Sequence, residues 1–199
     1  MIKLYQKAVI NFKNIDIDLT ELAFNILKQD FSNIIEMFRL EGRRQPIIRQ
    51  APIEEFKDEH YSALLKIWES SDCLIGDVPN ISDLPIENIV DVAGNLRIFK
   101  TVKEEGDFEE YDIYPFIENG TYDNKKVRLS DIIKRSNSVI AIMYYSCLYA
   151  CSISMEPIHS MHWSRDKDGR QEPWITMYLP FATEGNNIAD AFLLLQKRI

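Results

Sequence analysis

Apolar and polar positions alternate in short runs along the last part of the chain. Residues 155–164, 172–181 and 188–196 each read as a strand, joined only by turn-forming loops, and so predict an antiparallel meander. Two further runs, 96–102 and 108–117, meet across Glu104-Glu105-Gly106-Asp107 and predict a hairpin. Turn chemistry agrees: Asp168-Gly169, Gly106-Asp107 and Glu184-Gly185-Asn186-Asn187 all supply residues that tolerate positive φ. Within the second strand of the meander, Trp174, Thr176 and Tyr178 face one way and Ile175, Met177 and Leu179 the other, which predicts a sheet covered on both sides at that point. The block 130–150 is helical. Ser130 is placed to cap a short helix through Lys134, and Asn137 or Ser138 a longer one to about Cys151. The order of strand, strand, helices and three strands predicts an α+β fold: a cupped five-stranded antiparallel sheet with helices over one face.

The amino-terminal third has a different period. Leu19, Leu22, Ala23, Ile26, Leu27, Phe31, Ile34, Ile35 and Phe38 recur at three- and four-residue intervals and predict one helix over 20–41. Asp18 with Glu21 is a variant of the capping box, and Gly42 sits where a left-handed terminator belongs. Residues 43–52, polar and containing Pro46 and Pro52, read as a linker, so the chain divides into an extension, 1–52, and a domain, 53–199. A second helix, 53–70, carries Phe56, Tyr61, Leu64, Leu65 and Trp68 on one side, with Pro52 at its first turn. Both apolar stripes need a cover, either the chain's own sheet or a second copy of the chain. Residues 77–85 read as an extended connection wrapping into the sheet.

Charge narrows the partners. The 199 residues hold 31 acidic and 23 basic side chains, for a net charge of -8, with the acidic excess concentrated in residues 61–130. The basic clusters, Arg39 with Arg43 and Arg44 and Lys125 with Lys126 and Arg128, are too small for a duplex-binding surface, so no nucleic-acid partner is expected. The first residues lack the apolar core of a secretion signal, and the apolar run 139–150 is shorter than the ~20 residues that cross a bilayer. A cytoplasmic protein with no membrane partner is the expectation. The three cysteines, Cys73, Cys147 and Cys151, then read as free thiols.

Candidate chemistry is sparse. Cys147 and Cys151 with His159 and His162 offer four zinc-type donors, but paired C-x-x-C knuckles are absent and the two histidines fall on opposite faces of a strand. The helical block contains no histidine to ligate a haem. There is no G-x-S-x-G turn and no glycine-rich phosphate loop, and cysteines inside an apolar helix should be protonated. The acidic residues around the first hairpin read as a solvated turn rather than a cation site. The chain is therefore expected not to be an enzyme and to hold no metal. Aromatic density at the sheet–helix boundary leaves room for one pocket, lined by Tyr111, Ile113, Tyr144 and Met177.

From Glu59 to Ile199 the chain resembles the PAS domains, and most of all a PAS-like family of largely uncharacterised bacterial proteins. The resemblance rests on the order of several motifs: Leu64-Leu65-Lys66-Ile67-Trp68, then Asp107-Phe108-Glu109-Glu110-Tyr111-Asp112-Ile113-Tyr114, then Leu129-Ser130-Asp131-Ile132, and finally Met177-Tyr178-Leu179-Pro180 with Ala189-Asp190-Ala191-Phe192-Leu193. Pro115 departs from the pattern, standing where a glycine is often found. The resemblance implies a free-standing sensory or signalling module that holds a small ligand between sheet and helices, forms a homodimer through flanking helices, and passes its signal to a partner protein. It indicates no particular cofactor. The alternative is a protein-interaction or dimerisation module with no ligand.

Overall fold

The computed structural model describes residues 9–50, 58–69, 78–84, 95–102, 107–111, 127–136, 138–183 and 188–199. Its centre is a seven-stranded, wholly antiparallel sheet in the order β3-β7-β8-β9-β4-β5-β6. The strands are β3 (Ile47–Arg49), β4 (Leu96–Val102), β5 (Asp107–Tyr111), β6 (Val127–Arg128), β7 (Ile158–Arg165), β8 (Gln171–Phe181) and β9 (Ala191–Arg198). The predicted meander is present, as is the predicted hairpin as far as Tyr111, its residues 112–117 lying outside the described residues, and pairing of β4 with β9 fuses the two. Two strands are additional. β3 pairs with β7 at one edge and lies inside the segment read as a linker, while β6 extends the other edge, so the sheet is not five-stranded.

A separate hairpin, β1 (Val9–Phe12) and β2 (Ile15–Asp18), precedes the first helices. Its two turn residues, Lys13 and Asn14, have φ of 48 and 67, the paired positive values that match the twist of a two-residue hairpin. The apolar stripe predicted as one helix forms two, α1 (Leu19–Leu27) and α2 (Ser32–Leu40). The break falls at Gln29, φ 60, after which Asp30 accepts hydrogen bonds from the Ser32 amide and hydroxyl and starts the second helix. The stripe continues across the break because both helices cover the same core. Asp18 caps α1 through the Thr20 and Glu21 amides, as its position predicts. Gly42, φ 64, ends α2 with the Gly42 amide on the Arg39 carbonyl and the Arg43 amide on the Phe38 carbonyl, the double closure of a Schellman turn.

Helix α3 (Glu59–Glu69) occupies part of the span predicted over 53–70, and Pro52 and Phe56 lie outside the described residues. Its amino end is held by Asp58, which accepts from the His60 and Tyr61 amides. Residues 78–84 wrap onto the end of β8, with Ala182 donating to the Pro79 carbonyl and Ile81 to the Ala182 carbonyl. The helical block forms α4 (Leu129–Ser136) and α5 (Val139–Ser154). Ser138 caps α5 as expected. The acceptor at the start of α4 is instead Asp107 of β5, which takes the Ser130 amide at 3.3 Å and the Ser130 hydroxyl at 2.5 Å.

Helices cover both faces of the sheet rather than one. On one face α5 lies between the strands and α1, with α2 also against it, so it is buried nearly all round and has no polar side. This face carries Phe99, Phe108, Tyr178, Phe192 and Leu194, and its core runs without a break into Phe12, Leu22, Ile26 and Phe38. The segment before residue 51 thus shares one core with the sheet, and residues 51–57 lie outside the described residues. The other face carries Leu96, Ile98, Ile175, Met177, Leu179 and Leu193 beneath Tyr61, Leu64 and Leu65 of α3. None of the described helices is long and apolar enough to cross a membrane.

Candidate functional site

Strand alternation delivers a row of polar side chains to the underside of α5. In the β7–β8–β9 register, Ser160 lies opposite Thr176 and Thr176 opposite Gln196, with His162 one step along the same face and Tyr178 one step the other way. Ser160, His162, Thr176 and Tyr178 are all essentially inaccessible to solvent. From above, Tyr144 of α5 reaches the row. Its hydroxyl accepts from Gln196 Nε2 at 2.6 Å and lies 3.3 Å from His162 Nε2, to which it has a proton to give. The Tyr144 and His162 rings meet edge to face, 5.5 Å between centroids. The Ser160 and Tyr178 hydroxyls pair at 3.3 Å, and Cys151 Sγ lies 3.6 Å from the Tyr178 carbonyl.

Burial sets the protonation of every group in the row. It pushes the Tyr144 and Tyr178 hydroxyls up, the Cys147 thiol to about 12 and the Cys151 thiol well above its usual value. It brings His162 down to about 4, with the nearby charge of Arg43 acting in the same direction. At neutral pH the row holds protonated thiols, phenols and a neutral imidazole, which can donate and accept hydrogen bonds but supply no ready nucleophile. Two atoms are left over: His162 Nδ1 and Thr176 Oγ1 are buried without a hydrogen-bond partner of good geometry, although Thr176 sits beside the Tyr144 hydroxyl. A buried polar atom without a partner costs roughly 1–3 kcal/mol.

A second tyrosine–histidine pair occupies the opposite face. Tyr61 of α3 places its hydroxyl against His159 Nδ1, and burial lowers His159 to about 4, leaving His159 Nε2 unpartnered. Trp68 donates its indole N–H to the Pro180 carbonyl at 2.7 Å, and Lys197 pairs with Asp58 at the start of α3. Pro180 lies beyond the last β7–β8 pair, Ile158 with Tyr178, where its missing amide breaks no ladder bond with β7.

Of the four residues expected to line one pocket, the three that are described do not share a face. Tyr111 and Met177 face α3, Tyr144 lies on the α5 side with the sheet between, and Ile113 lies outside the described residues. The Tyr111 hydroxyl bonds Glu109 at 3.0 Å. His159 and His162 point to opposite faces, as their spacing predicts, so with Cys147 and Cys151 they do not converge on one point. The partners that the sequence reading missed are Ser160, Thr176 and Gln196. Strand parity places Ser160 with His162, and Thr176 with Tyr178, but only the register joins those sets to each other and to Gln196. No signal in the sequence links Tyr61 to His159.

Two of the clefts among the described residues lie elsewhere. One, of about 370 Å³, is bordered by Phe31, Ile48 and Arg49. The other, of about 190 Å³, lies between the β1–β2 hairpin and α2. Neither touches Tyr111, Tyr144 or Met177. The chain matches no protein-family model, no curated protein and no solved structure.

Proposed function

We propose that this protein is a non-enzymatic PAS-like module that works through contact with another protein, its cup closed by its own side chains. One observation carries the reading: the space between α5 and the sheet is filled by Tyr145, Phe108, Phe192, Tyr178, Cys147 and Leu148, each no more than 2 % exposed. Phe108 packs edge to face on both Tyr145 and Phe192, at 5.3 and 5.6 Å between centroids. The PAS-like part of the reading is supported by the predicted hairpin and meander standing as five contiguous strands, with α4 and α5 crossing between them in the chain.

A second reading, a small-ligand sensor acting through the same face, draws on the unpartnered His162 Nδ1 and Thr176 Oγ1. A small polar guest would satisfy them. The test is native mass spectrometry and an absorption spectrum of the gently purified protein, with a thermal-shift screen of metabolites. An empty protein with an unmoved melting temperature is expected. A stoichiometric co-purifying molecule, lost when Thr176 becomes Val, would replace the interaction reading with the sensor.

A further inference from the structure

We propose that the groove between the β1–β2 hairpin and α2 is a docking site for a cationic, amphipathic segment of a partner protein. The inference rests on the interaction reading above and names its surface. The groove, about 190 Å³, has an apolar floor that includes Ile17 and Met37, both buried. Its lips carry Ile15 and Leu40, 48 % and 43 % exposed, which are among the few large apolar side chains so open in the described residues. Its remaining lining is acidic or neutral. Among the described residues four carboxylates border it and no lysine or arginine does.

Two of those carboxylates are available to a cation. Asp16 accepts only from the neutral Asn11 amide, at 2.9 Å, and Glu21 takes part in no ion pair among the described residues. Both are exposed. Glu36 is already held by Arg39, and Asp18 is committed to capping α1, so these two add field rather than a free ligand. The groove is also built in advance. The Asn11–Asp16 bond braces the hairpin across its strands, and Lys13 Nζ donates to the Leu40 carbonyl at 3.3 Å, tying the hairpin tip to the end of α2. A preformed site loses little conformational freedom on binding.

Charge selects the occupant. A second copy seated symmetrically would bring the same acidic rim against itself, between chains that each carry -8. Nucleic acid and an anionic lipid surface are repelled for the same reason. A segment with two or three apolar anchors and flanking lysines or arginines satisfies both the exposed lips and the open carboxylates, the helix-in-groove mode of recognition.

The experiment uses the full chain with selectively ¹³C-methyl-labelled methionine and a fluorescent 14-residue amphipathic helical peptide carrying Leu at every third and fourth position and Lys on its flanks. A control peptide has every Lys replaced by Glu. The Lys peptide is expected to bind, to shift the Met37 methyl resonance, and to weaken roughly tenfold or more between 50 and 500 mM salt. Leu40→Ser, and separately the pair Asp16→Asn with Glu21→Gln, should each weaken it at least tenfold with the melting temperature held. Equal binding of the Glu peptide, or binding untouched by these variants, would overturn the proposal. So would dimerisation of the wild type that Leu40→Ser abolishes, which would assign the groove to a second copy. The two readings fail separately: a co-purifying small molecule removes the interaction reading and leaves the peptide result standing, whereas an empty protein that ignores the peptide removes only the groove.

Discussion

The two faces of the sheet are covered in different ways, although each buries one histidine against one tyrosine. On the α5 face, two layers of helix stand above the strands, and Tyr144 ties His162 into a set of polar side chains that includes Gln196 and Thr176. On the α3 face, one described helix lies over the strands, anchored by Tyr61, by the Trp68 indole and by the Asp58–Lys197 pair. A helix with packing on all sides loses more when a side chain is removed, because its neighbours cannot collapse into the space. A single outer helix has solvent behind it and can relax. The α3 face should therefore be the softer half of the molecule, the first to open.

The largest test uses matched substitutions. Leu148→Ala on α5 should destabilise by about 4–5 kcal/mol, and Leu64→Ala on α3 by about 2–3 kcal/mol, although the two leucines are equally buried at 0 % and 1 % exposure. Urea denaturation at pH 7 measures both. Equal losses would break the contrast.

Acid comes next. His159 and His162 have folded values near 4 against an ordinary 6.5, so each favours the folded state fully above about pH 6.5 and loses that contribution as pH falls toward 4, where the unfolded chain binds the extra proton. At pH 5 the loss should be about 2 kcal/mol per histidine relative to pH 7. The slope of stability against pH should drop by roughly half in His159→Gln or His162→Gln. If acid opens the α3 face first, the fluorescence of Trp68 will change before the global transition.

Smaller effects separate the two pairs. Tyr144→Phe leaves both Gln196 Nε2 and His162 Nε2 without their partner and should cost about 2 kcal/mol, whereas Tyr61→Phe removes the hydroxyl against His159 Nδ1 and should cost about 1 kcal/mol. Chemical denaturation checks this, and a reversed order would show that the polar row is looser than the isolated pair. Of the same size as the Tyr61 effect is Asp107→Ala, which removes the acceptor at the start of α4 and should cost about 1 kcal/mol, visible as earlier amide exchange at Ser130.

Much of the fold was legible because it is local. The 96–102 strand, the Asp18 cap, the Gly42 terminator and the opposite facing of Thr176 and Met177 follow from spacing and from the conformations that single residues tolerate. The candidate site was much less so. Tyr111, Tyr144 and Met177 share aromatic or apolar character and a predicted sheet–helix boundary, but with helices on both faces that boundary is two boundaries. Expecting one helical layer merged them.

The sequence by itself determined the parity of each strand, the amphipathic faces of the helices and the places where the chain turns, since each is fixed by neighbours within a few residues. Tertiary structure decided what lay opposite. It drew 47–49 out of an apparent linker to pair with β7, broke one apolar stripe at Gln29 so that two helices could follow the core, and gave the start of α4 an acceptor 23 residues away. It also set Tyr61 against His159 across 98 residues. Periodicity states that a face is covered, and only the closing of long loops over a shared core determines by which residues it is covered.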